Sequence, residues 1–215
     1  LRAQIHIIEN NLRTRDYTFD YEKQPSRAMF KYKQAFIRND QERYMTFLNN
    51  VLQGKATLHA DNVAPYELIR PYMTWNWNGP SLETMSKSEK DALNASWASL
   101  LDFCSDEDML AVVDTSGSMH SSYGLPAAVA LSLGLYLAEH NKGRFRNHFI
   151  EFSERPQLIR LKGETFVDKL RYILTFDEIA DTNLEAVFQL ILCVAVKNKL
   201  PQKELPGKLV IISDM

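Results

Sequence analysis

Two cysteines in 215 residues are too few for a disulfide framework. Cys104 and Cys193 both fall on apolar helical stripes, where buried, reduced thiols are expected. No H-E-x-x-H or paired-cysteine spacing suggests zinc. No G-x-G-x-x-G marks a dinucleotide site, and Gly117-Ser-Met-His-Ser-Ser-Tyr-Gly124 lacks the G-K-[ST] ending of a phosphate loop. Neither charge sign dominates: the net is −2, so bulk electrostatics do not push the chain towards nucleic acid or a membrane surface. No apolar run approaches the roughly 20 residues that span a bilayer, and no charged-then-apolar leader opens the chain. The expectation is a soluble, cytoplasmic protein without a membrane partner.

What is present is a 45% hydrophobic composition, enough for a sizeable core, in one large domain or two small ones. Residues 1–106 read as helices and loops. Leu1, Ile5, Ile8 and Leu12 are spaced as one helical face, so the chain starts inside a helix. Arg27–Arg38 is a short amphipathic helix, and Asp40 is placed to cap the next one, which Gly54 stops. Pro65 suits the first turn of a helix over Tyr66–Tyr72. Ser86-Lys-Ser-Glu89 is a capping box, opening a helix that carries Leu93, Trp97, Leu100, Leu101 and Cys104. Trp75-Asn-Trp77, before the turn Asn78-Gly79-Pro80, reads as aromatic packing between domains or a contact patch.

From residue 107 the rhythm becomes strand–helix alternation. Met109–Val113 and Lys208–Ser213 are apolar runs of buried parallel strands. Arg146–Phe152 alternates, with His148, Ile150 and Phe152 on one side, and Gln157–Leu161 returns as an edge strand. Leu125–Glu139 is apolar nearly all round, a helix buried on more than one side. Phe166–Leu174 and Leu184–Val196 are further helices. The order predicts an α/β domain over 107–215, its mostly parallel sheet flanked by helices, preceded by an α-helical region over 1–106.

Asp114-Thr-Ser-Gly-Ser118 directly follows the first strand, at the end where open α/β sheets place ligands. One carboxylate and two hydroxyls at alternate positions suit a hard cation. Thr182 stands before the periodic helix of Leu184, Val187, Phe188, Ile191 and Leu192, and Asp214 ends the last strand. These residues resemble the von Willebrand factor A (vWA) domain and its metal-ion-dependent adhesion site. That site takes D-x-S-x-S from the first strand, a Thr from a middle loop and an Asp after the fourth strand. The resemblance implies a Rossmann-like vWA fold and metal ligation by Asp114, Ser116, Ser118, Thr182 and Asp214. It implies Mg²⁺ (or Mn²⁺ or Ca²⁺) as the ion, and an Asp or Glu carboxylate of a protein partner as the further ligand. A vWA domain continues with strands and helices that cover the sheet, so the chain is expected to be a fragment.

The function so implied is a non-enzymatic, metal-dependent protein-interaction module. The stretches Tyr32–Tyr44, Gly54-Lys-Ala and Ala64–Ile69 resemble a family in which a helical region precedes such a domain, similar in layout to Ro-type (TROVE) proteins. That similarity implies an alternative, RNA held by the helical region. Arg13, Arg15, Lys23, Arg27, Lys31, Lys33, Arg38 and Arg43 interleave there with Tyr17, Phe19, Tyr21, Phe30 and Tyr32. The same spacing also reads as core aromatics with solvated charges, which it favours. A metal-assisted hydrolase is a lesser alternative. His120 is the one general-base candidate near the loop, and it reads better as a loop-packing histidine. Asp177, Glu178 and Asp181 are read as helix-capping or field-tuning charges near Thr182.

Overall fold

A computed structural model describes residues 7–73, 80–104, 108–176 and 183–214. The chain divides into two compact units, Leu1–Ala64 with Ser81–Leu101, and Pro65–Pro80 with Asp102–Met215.

The first unit is helical. α1 (Ile8–Thr14), α2 (Ser26–Asn39), α3 (Gln41–Leu52) and α5 (Lys87–Ala98) belong to it, and α2, α3 and α5 pack on one another. Its core is aromatic. Tyr21 meets Phe19, Phe36, Tyr44 and Phe47 at ring-centroid distances of 5.1–5.6 Å. Tyr21, Phe36, Tyr44 and Phe47 are buried, and Tyr17, Phe19 and Tyr32 pack against their cluster. Burial raises the Tyr21 and Tyr44 hydroxyl pKa values well above the ordinary tyrosine range. Asp40 does not cap α3 with its side chain: its carboxylate accepts from the Tyr21 hydroxyl at 2.8 Å and from Arg43 at 3.0 Å. The α5 capping box forms with both halves in place, Ser86 Oγ accepting from Glu89 N and Glu89 accepting from Ser86 N. That helix ends at Ala98, so Leu100, Leu101 and Cys104 lie beyond it. Cys104 is half-buried and Cys193 exposed, which corrects the expectation of two buried thiols on helical stripes.

The second unit is built on a four-stranded sheet. β1 (Met109–Asp114), β2 (His148–Phe152), β3 (Gln157–Arg160) and β4 (Lys208–Ile212) lie in the order β3-β2-β1-β4. β1 runs parallel to both β2 and β4, and β3 is antiparallel at the edge. The domain is therefore mixed α/β with a mostly parallel sheet. Alternate side chains of β1 serve opposite layers. Leu110 and Val112 join Ile150, Phe152, Val187 and Ile191 in one cluster, which brings in α8 (Leu184–Lys197). Val113 instead faces Gly134 of α6 (Ser121–His140). α7 (Phe166–Ile173) opens with a second capping box, Thr165 with Asp168, and ties to α6 through Lys169 and Glu139 at 2.6 Å.

α6 explains its own sequence. Ser122, Tyr123 and Gly124 have φ of 51°, 57° and 69°, a left-handed turn, so regular winding starts near Leu125. Pro126 then sits in the first turn, where its missing N–H removes no helical bond. By length and composition alone one stretch among the described residues, Gly117–His140, is apolar enough to cross a membrane, although its regular winding begins only near Leu125. It packs against β1, β2 and α4 (Pro65–Ile69), so its apolarity is explained by burial on several sides. α4 and the 3₁₀ turn Arg70–Tyr72 after it belong to this second unit, although the sequence places them with the N-terminal helices.

Candidate metal centre

The carboxyl ends of β1 and β4 lie side by side, with Val113 paired to Ile212. β1 has β2 on its other side, so the strand order turns back at β1, the kind of place where open α/β sheets bind ligands beyond their carboxyl ends. Asp114 is the last residue of β1, and Asp214 follows β4 by two residues.

Four of the five residues singled out in the sequence meet there. Asp114 forms the floor, 1% exposed. Its Oδ1 accepts from Ser116 N at 2.8 Å, which turns the loop back over the strand end. Its Oδ2 accepts from Ser213 Oγ at 2.6 Å. Ser116 Oγ lies 3.1 Å from Ser118 Oγ, and Ser118 Oγ donates to Asp214 Oδ1 at 2.9 Å. Ser118 and Asp214 are exposed and form the rim. Thr182, with Asp177, Glu178 and Asp181, lies outside the described residues, as do Trp75 and Trp77. The helix start beside Thr182 is described: Asn183 caps α8 by accepting from Ala186 N at 3.1 Å. His120 is half-buried in the 3₁₀ turn Gly117–His120.

The donor set fits a hard cation. An octahedral shell at 2.0–2.1 Å separates neighbouring ligand oxygens by about 2.9 Å. The 3.1 Å and 2.9 Å steps from Ser116 to Ser118 to Asp214 are close to that spacing. Among the described residues, no three His, Cys, Asp or Glu side chains gather as a metal-binding group. The cluster has two acids and completes itself with serine hydroxyls, a set suited to Mg²⁺ and not to a soft metal.

Three neighbours escaped the sequence reading. Ser213 holds Asp114, and the buried pair Thr115 and Glu151 joins at 2.9 Å. One signal for Glu151 was available: an acid inside an otherwise apolar buried strand is rare without a partner.

The chain matches Domain of unknown function (DUF2828) over residues 1–110 and Domain of unknown function (DUF7788) over residues 108–215. It belongs to both families. It is also 29% identical to Uncharacterized protein L728 of Acanthamoeba polyphaga mimivirus, over an alignment of 229 residues. That alignment takes in all of this chain and 38% of the viral protein, so the chain spans well under half of that relative's length. No solved structure matches the chain. The DUF7788 match begins at Asp108, one residue before β1, and contains all five singled-out residues.

Proposed function

We propose that the DUF7788 half is a vWA-type module that captures a carboxylate of a protein partner through a divalent cation, Mg²⁺ foremost, without making or breaking bonds. The observation that carries this reading is the meeting of Ser116, Ser118 and Asp214 oxygens, from the ends of two adjacent parallel strands, over the buried Asp114. The strand order β3-β2-β1-β4 supports it, because the cluster stands at the carboxyl ends of two strands where that order reverses.

The residues divide the work. Ser116 and Ser118 would face the ion with neutral oxygens, exchanging their mutual hydrogen bond for coordination. Asp214, on the rim, would supply charge. Asp114 already spends both oxygens on Ser116 N and Ser213, so it would act through water or by fixing the serines. Thr182 is proposed as the remaining protein ligand. When bound, the ion supplies an open position for an acidic oxygen from outside. With so many neutral ligands it keeps residual positive charge, which favours an Asp or Glu.

Titration calorimetry with MgCl₂ tests the centre. The wild-type chain is expected to bind one ion saturably, and Asp114→Ala and Ser118→Ala to weaken binding at least tenfold, by about 1.4 kcal/mol or more. Absence of saturable binding of Mg²⁺, Mn²⁺ and Ca²⁺ to the wild type would sink the reading. The alternative, RNA held by the helical half, predicts binding that falls steeply with salt. Of the five aromatic residues named for it, Tyr21 is buried in the core and Tyr17, Phe19 and Tyr32 pack against that core, while Phe30 is half-buried.

A further inference from the structure

Glu151 lies in the middle of the sheet on β2 and is 1% exposed. It is none of the ligands proposed above. A carboxylate at that depth is costly unless it is hydrogen-bonded or feels a nearby positive charge. Thr115 Oγ1 donates to its Oε1 at 2.9 Å and Ser153 Oγ to its Oε2 at 3.1 Å. Both oxygens accept, as a carboxylate's do. Thr115 is itself 2% exposed and stands between Asp114 and Ser116 in the metal loop. Val113, the residue before Asp114, pairs with Glu151 across the strands. Glu151 thus reaches the loop by one hydroxyl, from the neighbouring strand.

We propose that Glu151 is a positioning residue for the divalent cation: through Thr115 it fixes the Asp114–Ser118 loop, and its buried charge strengthens the site's hold on the ion. The inference rests on the metal reading above. A ligand set with two serines carries little charge of its own, and a carboxylate on the neighbouring strand offsets this without occupying a coordination position. Partners of this kind, one shell out, typically change metal affinity about 10–100-fold.

Charge and shape separate when ions of different charge are compared. Mg²⁺ affinity is measured by calorimetry, and Tb³⁺ affinity by its luminescence sensitised by aromatic side chains. Both use the whole chain, as wild type, Glu151→Gln and Thr115→Val. Glu151→Gln is expected to weaken Mg²⁺ about tenfold and Tb³⁺ by a larger factor, because the attraction scales with the ion's charge. Thr115→Val keeps the charge and loosens the loop, so it is expected to weaken both ions by one common factor. The proposal is overturned if Glu151→Gln, with wild-type circular dichroism and Tm, binds both ions unchanged or loses the same factor for each. If Glu151→Gln does not fold, Thr115→Val decides alone, and wild-type affinity for both ions overturns the proposal. Failure of the wild type to bind either ion removes the metal reading itself, an outcome distinct from a failure confined to the variants.

Discussion

Gly134 shows how one position in α6 governs the strand that bears the site. An ideal Cβ there would fall inside Cγ2 of Val113, the residue before Asp114. Gly→Ala inside a helix ordinarily gains about 0.5–1 kcal/mol. Here the overlap is with a buried β-branched side chain on a central strand, which has no empty space to enter. Overpacking of this type costs about 1–3 kcal/mol, so the second effect wins. Gly134→Ala is therefore expected to lower stability by about 1–2 kcal/mol in urea denaturation. A variant as stable as wild type, or more so, would show that α6 can ride away from β1 at little cost.

Among the elements, α5 gives a test of capping and of pH together. Glu89 Oε1 accepts from Gln34 of α2 at 2.9 Å, and Oε2 from Ser86 N at 2.8 Å and Ser86 Oγ at 2.7 Å. These bonds, Gln34's foremost, hold its pKa below the ordinary carboxylate value. A lowered folded-state pKa adds stability that is fully present above the unfolded value of about 4.3 and is lost as pH falls through the folded one. Ser86→Ala is expected to cost about 1 kcal/mol at neutral pH. Glu89→Gln is expected to flatten the acid limb of the wild-type stability curve below about pH 4.3, followed by helical circular dichroism. Superimposable acid limbs would exclude Glu89 as their source. This box was legible in the sequence because both partners sit within four residues. β1 was legible because a parallel strand buried on both faces reads as an unbroken apolar run; β4 was legible as a strand from the same pattern, but the expectation that it is buried fails, with Ile211 41% exposed. The Asp114–Ser118 loop was legible because its signal is local as well. What escaped depends on pairs far apart in the chain. Asp40 serves Tyr21, 19 positions upstream, instead of capping α3, and Glu151 is held by Thr115, 36 positions upstream. Periodicity marked α8 correctly as a helix but does not say which of its apolar residues are covered: Val187 and Ile191 are buried, while Leu184, Phe188, Leu192 and Val196 stand exposed.

At the scale of the whole chain, the family boundary and the physical boundary differ. The DUF2828 match runs to residue 110, yet α4, inside it, packs on α6 in the sheet-containing unit. The reason is in its side chains. Leu68 and Ile69 are both fully buried, and a five-residue helix cannot hold itself without such an apolar anchor. The segment is thus a piece of the α/β unit's core supplied from the other family's stretch of sequence. Truncating such a residue leaves a cavity against a packed helix, at about 2–5 kcal/mol. Leu68→Ala is expected to cost that much, and to speed amide hydrogen exchange in α6 and β1 while α2 and α3 keep wild-type protection. Faster exchange in α2 and α3 with α6 unchanged would assign α4 to the helical unit and return the physical boundary to the family boundary.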